Sequence, residues 1–432
     1  MNRRPGASAA SSPESVHSEF KRPAYWPSAP RDSDELKTSH SLLRDLILRH
    51  LRAHGLSSFR TLSGTMKLSA AIVHSLFEEM RNQQLVHVKG TDGLDYSFEL
   101  TEAGRHLAAE CTEKCRYVGP TPVSLDEYFQ AVQVQAATVK VNRAKLREAF
   151  ADLVVSDLLL DQLGPALVSQ QSLFLYGPTG NGKSSCSERL TRVYRDSVVV
   201  PYALEVDGQI ITIYDPGVHR RLMIENSDLD PRWVECQRPY ITAGGELVSS
   251  MLDLCFDDVS GTYIAPLQVK ANNGILVIDD FGRQAISPRE LLNRWIVPLD
   301  RRLDYLSLGY GLKFEVPFEV MVIFCTNLNP TDLTDEAFLR RIPNKVYIGN
   351  IDDQTFDLIL ERESAKQGIA CNADTALSLR TLCRLHGGGY LRACYPADIC
   401  RILHSISAYE ERAVEATKTE LERAVMLYFA RE

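Results

Sequence analysis

Three things are missing from this chain: a long apolar run, a paired-cysteine motif and an excess of positive charge. Each absence removes a class of function. The longest apolar stretches lie around Leu173–Tyr176, Ile275–Ile278 and Val320–Cys325 and are too short to cross a bilayer, so no membrane insertion is expected. The first residues, Met1-Asn2-Arg3-Arg4-Pro5, lead into Ser, Ala and Pro without an apolar core. That argues against a secretory signal and for a cytoplasmic protein. The 10 cysteines form no Cys-x-x-Cys pair and no His/Cys zinc spacing. Cys111 and Cys115 stand one helical turn apart, but free thiols in a reducing compartment are the expectation. With 56 acidic against 48 basic residues and a formal net charge of −8, nucleic-acid binding would need a local basic face. No internal repeat is present, and nothing resembles a protease or nuclease site.

What is present is an ordinary globular composition, 44% hydrophobic and 24% charged over 432 residues, long enough for about two to four domains. Residues 1–35, rich in Ser, Pro, Ala and Arg, read as a disordered arm. From residue 36 the pattern changes. Leu42, Leu43, Leu46, Ile47 and Leu51 share one helical face, with Gly55 as a stop. A short segment follows at Phe59–Leu62, then a helix with Ser69 as N-cap. A hairpin is expected around Asp92-Gly93, then a closing helix. Residues 36–115 thus resemble a winged-helix domain, a class that often reads DNA through its third helix. Here that helix sets Glu78 and Glu79 against Lys67 and Arg81. A helix without excess charge is a poor phosphate probe, so DNA is a disfavoured partner and protein docking is preferred. Residues 116–146, broken by Pro120 and Pro122 and then continuing as a polar helix, read as a linker.

The strongest signal is "SLFLYGPTGNGKSS". A buried strand, Leu173–Tyr176, runs into Gly-x-x-x-x-Gly-Lys-Ser and then a helix. In this context Gly177, Pro178, Thr179, Gly180, Asn181 and Gly182 turn backbone N–H groups around phosphate oxygens. Lys183 adds a point charge, the Ser184 hydroxyl binds Mg²⁺, and Ser185 continues into the helix. About a hundred residues on, "GILVIDDFG" delivers Asp279 to the end of a second buried strand, where a carboxylate holds the hydration shell of Mg²⁺. A third strand, "VMVIFCTN", ends in the amide of Asn327.

This order of P-loop, acidic strand and strand ending in Thr-Asn resembles the AAA+ ATPases over roughly residues 147–432. The resemblance implies an α/β fold: a P-loop parallel sheet flanked by helices over 147–350, and a helical lid over 351–432. It implies ATP and Mg²⁺ as ligands, Asn327 as the sensor that orients the attacking water with Asp280, and assembly into a homo-hexamer. In "DEAFLRRI" it implies that Arg340 or Arg341 is the arginine finger, which reaches the γ-phosphate of a neighbouring subunit. A probable hairpin with Gly309-Tyr310-Gly311 at its tip resembles the insertion of the MoxR-like and σ54-activator branch, making Tyr310 a candidate to face a partner. The combination with a winged helix is similar to a group of poorly characterised bacterial AAA+ proteins. Two departures stand out. Ala397 occupies the place of the sensor 2 arginine, leaving Arg392 or Arg401 to substitute. Asp280 stands where glutamate is usual, and its carboxylate is withdrawn by up to about 1.5 Å; a misplacement near 1 Å can cost about 10²-fold in rate.

The expectation is therefore a slow ATPase that remodels or assembles a protein client. The alternatives are a DNA-associated loader or regulator and a non-hydrolysing nucleotide-dependent scaffold. In "DPGVHRRL", His219 reads as a packing or surface residue rather than a ligand.

Overall fold

The computed structural model of the chain describes residues 21–92, 95–136, 141–222, 228–333 and 336–429. The amino-terminal unit has the element order expected of it. Helix α1 (His40–His54) is followed by strand β1 (Ser57–Ser58), helices α2 (Phe59–Met66) and α3 (Ala70–Asn82), strands β2 (Val86–Asp92) and β3 (Asp95–Leu100), and α4 (Glu102–Lys114). Ser69 caps α3, its hydroxyl accepting from the Ile72 N–H, and α1 stops at Gly55. The strands form an antiparallel sheet in the order β1-β3-β2. The expected turn residue Gly93 lies outside the described residues. Leu43, Leu46, Ile47, Phe77 and Phe98 are fully buried at the centre of this unit.

The next segment differs from expectation. Residues 116–146 are no free linker. They supply strand β4 (Val123–Ser124), helix α5 (Leu125–Val134) and the start of helix α6 (Arg143–Ala149), with α7 (Asp157–Ser169) following. One face of α5, made by Tyr128, Ala131 and Val132, is buried. The Gln135 amide pairs with both backbone groups of Val199. The prolines break the chain locally, but the apolar face of α5 still has to find a core. The arm is corrected in the same way. Residues 1–20 lie outside the described residues, whereas residues 21–30 run along the body of the protein. Arg22 and the Trp26 indole share Asp228 at 2.6 and 2.8 Å, and Tyr25 packs on Trp233. A composition dominated by Ser and Pro conceals two aromatic side chains large enough to anchor ten residues.

Strand β5 (Leu173–Tyr176) and helix α8 (Lys183–Leu190) open the central α/β unit. A β-rich insertion follows: β6 (Ser197–Pro201), β7 (Ala203–Val206), β8 (Gln209–Thr212) and β9 (Trp233–Gln237). The chain returns through β10 (Tyr240–Ala243) to β11 (Cys255–Asp257), β12 (Thr262–Ile264), helix α9 (Leu267–Lys270) and strand β13 (Ile275–Ile278). Helices α10 (Pro288–Arg294) and α11 (Ile296–Arg301) lead to the hairpin β14 (Leu303–Ser307)–β15 (Lys313–Pro317). Then come β16 (Met321–Thr326), α12 (Pro330–Leu333), α13 (Glu336–Leu339) and β17 (Asn344–Tyr347). The last unit is all helix: α14 (Asp353–Lys366), α15 (Ala373–His386), α16 (Cys394–Tyr409) and α17 (Lys418–Tyr428).

The central sheet has the order β10-β13-β16-β5-β17, every pairing parallel. Its strands alternate between two cores, as the period of two demands. Leu173, Leu175, Val277 and Ile323 pack toward α6, α7 and α8, while Phe174, Leu276, Ile278 and Phe324 pack on Trp295 and Phe318. Burial on both faces accounts for the uninterrupted apolar runs in the sequence. The fold class is the expected one: an α/β parallel sheet between helices with the glycine loop after β5, and a carboxyl-terminal helical unit. The insertion builds a second, mixed sheet in the order β11-β12-β8-β7-β4. Among the described residues, no helix is long and apolar enough to cross a membrane.

Candidate active site

All five parallel strands end on the same side, and the ends of β5, β13 and β16 bring the motifs together. The loop after β5 needs glycine for reasons of space. A Cβ on Gly177 would stand 2.2 Å from the Ile348 carbonyl oxygen, and one on Gly180 would stand 2.6 Å from Cys394 Sγ. Both residues, with Gly182, have positive φ. Lys183, the first residue of α8, turns back and donates to the carbonyls of Gly177 and Pro178 at 2.8 and 2.9 Å. Burial lowers its pKa, against the opposing pull of Asp279 and Asp280. Both carboxylates of the acidic pair are thus close enough to be felt by this ammonium.

Ser184 Oγ donates to Asp279 Oδ2 at 2.8 Å. Two hard oxygen donors, one from the first turn of α8 and one from the end of β13, meet at this point beside the glycine loop. Mg²⁺ favours such donors and needs only one or two from protein when phosphates supply the rest, so the pair fits that ion. Among the described residues there is no cluster of three or more His, Cys, Asp or Glu that could hold a metal by itself. Ser185 follows in the first turn of the helix. Thr179 Oγ1 and the half-buried loop face the helical unit.

Asp280 is exposed and has φ +50°. Among non-glycine residues, Asp and Asn are several-fold enriched in this left-handed region. That gives aspartate here a backbone reason independent of reach. Asn327 follows β16 next door, half-buried. The two loops are tied together: the Phe281 N–H donates to the Cys325 carbonyl at 2.7 Å, and Thr326 Oγ1 donates to the Phe281 carbonyl at 2.8 Å. Thr326 also accepts the Leu328 N–H. The threonine of the Thr-Asn pair therefore fixes the spacing between the Asp280 loop and Asn327, a role the sequence motif alone does not reveal.

The carboxyl-terminal helical unit sits directly on the P-loop. The Cys394 N–H donates to the Gly180 carbonyl at 2.9 Å, and the Ala393 N–H donates to Asn181 Oδ1 at 3.1 Å. The buried Asn181 amide also donates to Asn350 at 3.1 Å. Arg392 Nη1 reaches Thr179 Oγ1 at 3.3 Å. Arg401 instead pairs with Asp398 on its own helix and is largely exposed. Of the two candidates to replace an arginine at Ala397, only Arg392 is at the phosphate loop.

Arg340 and Arg341 are not at this end of the sheet. With Ser172, Val320, Pro343 and Asp300 they line a cleft of about 390 Å³ at the amino ends of β5, β16 and β17. One strand of four residues, about 13 Å, separates that end from the P-loop. Arg341 Nε donates to Asp300 at 2.8 Å. Arg340 is exposed and has no ion pair among the described residues.

Tyr310 is 58% exposed at the tip of the β14–β15 hairpin, yet its hydroxyl is engaged within the chain, donating to Asp207 Oδ2 at 2.6 Å. The adjacent Gly309 N–H donates to the Tyr263 hydroxyl. The expected partner-facing tip is thus fastened to the inserted sheet. His219 is buried, with Nδ1 accepting the Asp215 N–H and Nε2 against the Lys270 carbonyl, a packing residue as expected. All ten cysteines are free.

One family model matches part of the chain. Residues 352–427 match a domain of unknown function (DUF8689). Among solved structures the chain is similar to NtrX from Brucella abortus, at 14% identity over 77% of this chain and 68% of that one, with a TM-score of 0.41. A mutant of RuvB from Thermotoga maritima aligns at 8% identity over 66% of this chain and 70% of that one, with a TM-score of 0.36. No curated protein matches the chain.

Proposed function

We propose that the chain is an ATPase of AAA+ type that couples slow ATP hydrolysis to remodelling or assembly of a protein client, as a cytoplasmic homo-oligomer, with DNA disfavoured as a partner because α3 offers phosphate no net attraction. The observation that carries this reading is the meeting of Lys183, Ser184, Asp279 and Asp280 beside Asn327 at the carboxyl ends of three adjacent parallel strands, where ligands of open α/β sheets bind.

In this reading Gly177 to Ser185 cradle the triphosphate through backbone N–H groups and the Lys183 ammonium, which exchanges its two carbonyl partners for phosphate oxygens. Ser184 and Asp279 would hold Mg²⁺, which would supply charge neutralisation at the phosphates. Asp280 and Asn327 orient the attacking water. Arg392 contributes charge from the chain's own lid. The arginine finger comes from a second copy, because Arg340 and Arg341 stand at the far end of the sheet from their own P-loop. Arg340 is the better finger, since Arg341 is held by Asp300. The unit boundaries follow the same logic: a nucleotide domain over 147–350 and a lid over 351–432.

The test is ATP turnover by purified protein as a function of its own concentration. Mg²⁺-dependent turnover that rises with concentration is expected. Lys183→Ala should abolish nucleotide binding, and Asp280→Asn should retain ATP while losing about 10²-fold in rate. Binding without turnover at any concentration would leave the scaffold reading in place of this one.

A further inference from the structure

The carboxylate of Asp280 does not project from a strand. It projects from a tight turn, and one side chain closes that turn. Gln284 Nε2 donates to the Asp279 carbonyl at 2.6 Å, while Gln284 Oε1 accepts the Gly282 N–H at 2.8 Å. Inside this clip the Arg283 N–H donates to the Asp280 carbonyl at 3.0 Å, and the Asp280 N–H donates to Asp279 Oδ1 at 3.0 Å. Asp280 has φ +50° as a result. A left-handed residue of this kind is held by its surroundings rather than by its own preference.

We infer that Gln284 is a positioning residue for hydrolysis: its two hydrogen bonds lock the left-handed turn that aims Asp280 beside Asn327. This rests on the ATPase reading and names a residue that the P-loop, acidic-strand and sensor motifs do not contain. The Asp280 loop has two independent restraints. On one side Cys325 and Thr326 hold Phe281 to the strand that carries Asn327. That bond pair fixes the residue after Asp280 but does not touch the Asp279–Asp280 peptide, whose N–H is held only by the neighbouring Asp279 carboxylate. The Gln284 bond to the Asp279 carbonyl is on that same peptide and fixes its orientation. Without it the peptide can turn, φ at Asp280 relaxes to negative values, and the carboxylate leaves its place. Gln284 touches Asp279 only at its main-chain carbonyl, while the Ser184 bond is made by the Asp279 carboxylate, so nucleotide affinity is expected to survive.

The test is a double-mutant cycle in the full chain, reading steady-state turnover, nucleotide Kd and thermal stability together. Gln284→Leu removes both bonds at similar size. It should lower kcat by about 10-fold or more, since a displacement near 1 Å suffices for that, with Kd changed by less than about threefold. In an Asp280→Asn background the same change should lower turnover no further. Gln284→Glu keeps the acceptor for Gly282 and loses the donor to Asp279, so it should fall between wild type and Gln284→Leu while retaining the fold. An equal loss in both backgrounds would show a general structural effect and overturn the inference. So would wild-type turnover in Gln284→Leu or Gln284→Glu. An Asp280→Asn protein that turns over normally, or a wild type that never does, defeats the ATPase reading itself and is recognisable before the cycle is closed.

Discussion

The two ends of this molecule are built in different ways. At the P-loop end, Asp279, Asp280 and Asn327 sit within a residue or two of a strand's carboxyl end, Lys183 and Ser184 follow β5 across the glycine loop, and neighbouring strands align these groups by register. At the other end, where the amino-terminal unit meets the inserted sheet, the junction is made from segments far apart in sequence. The Ser39 N–H bonds to Glu205, the Arg116 N–H to the Ser260 carbonyl, and the Thr121 N–H to the Met66 carbonyl. Ala203 and Ile210 of the insertion are buried in the amino-terminal core itself. The Tyr310–Asp207 bond then joins the hairpin of the nucleotide domain to that same sheet. The amino-terminal unit is therefore packed onto the insertion rather than hung from a tether. A register-built site concentrates its energy in a few side chains, whereas a packed junction spreads it over many small contacts.

That contrast sets the expected sizes of perturbation. The largest effect should come from Arg340→Ala, which in an assembled protein removes the guanidinium that completes a neighbour's site. Turnover should fall by about 10³-fold, while Arg341→Ala, which breaks the Asp300 pair, should act on stability more than on rate. Equal losses in both would remove the distinction drawn here. Next is Arg392→Ala, expected to weaken ATP binding about tenfold by nucleotide titration, with Arg401→Ala unchanged. Asp280→Glu, although it lengthens the carboxylate, should lose turnover rather than gain it, because glutamate is less at ease than aspartate at φ +50°.

At the junction, effects should be small and dispersed. Tyr310→Phe removes one exposed hydrogen bond and should cost at most about 1 kcal/mol in chemical denaturation, leaving ATP affinity unchanged. Separate from these is a pH dependence confined to the amino-terminal unit. Burial, with His54 nearby, lowers the pKa of His50 to about 4 from an ordinary 6.5. The unfolded chain takes up this proton first, so stability is full above about 6.5 and declines as pH falls toward 4. His50→Gln should flatten that part of the decline in urea unfolding followed across the window.

Much of the site could be read before any coordinates. "GPTGNGKSS", "VIDD" and "FCTN" each combine a buried strand with a polar terminus, and the apolar runs fixed which groups would emerge at one edge. The clip by Gln284 escaped notice because glutamine has no distinctive chemistry, and its partners are backbone atoms that no motif records. The packing of residues 116–146 is not legible in the sequence, because Pro120 and Pro122 mark a local break, while the pairing of β4 with β7 involves residues some eighty positions away. The arm was misread for a related reason: Tyr25 and Trp26 are only two residues in a polar stretch, and their value depends on Asp228 and Trp233 lying opposite.

The amino-acid sequence by itself determined the parallel sheet, the phosphate loop and the acidic and amide groups at its edge, because strand period and glycine placement act over a few residues. Only the tertiary structure decided that Arg392 rather than Arg401 meets the P-loop, that Arg340 and Arg341 stand at the opposite end of the sheet, and that Tyr310 is fastened to Asp207. Those outcomes depend on how distant segments pack, and packing selects among side chains that are chemically alike.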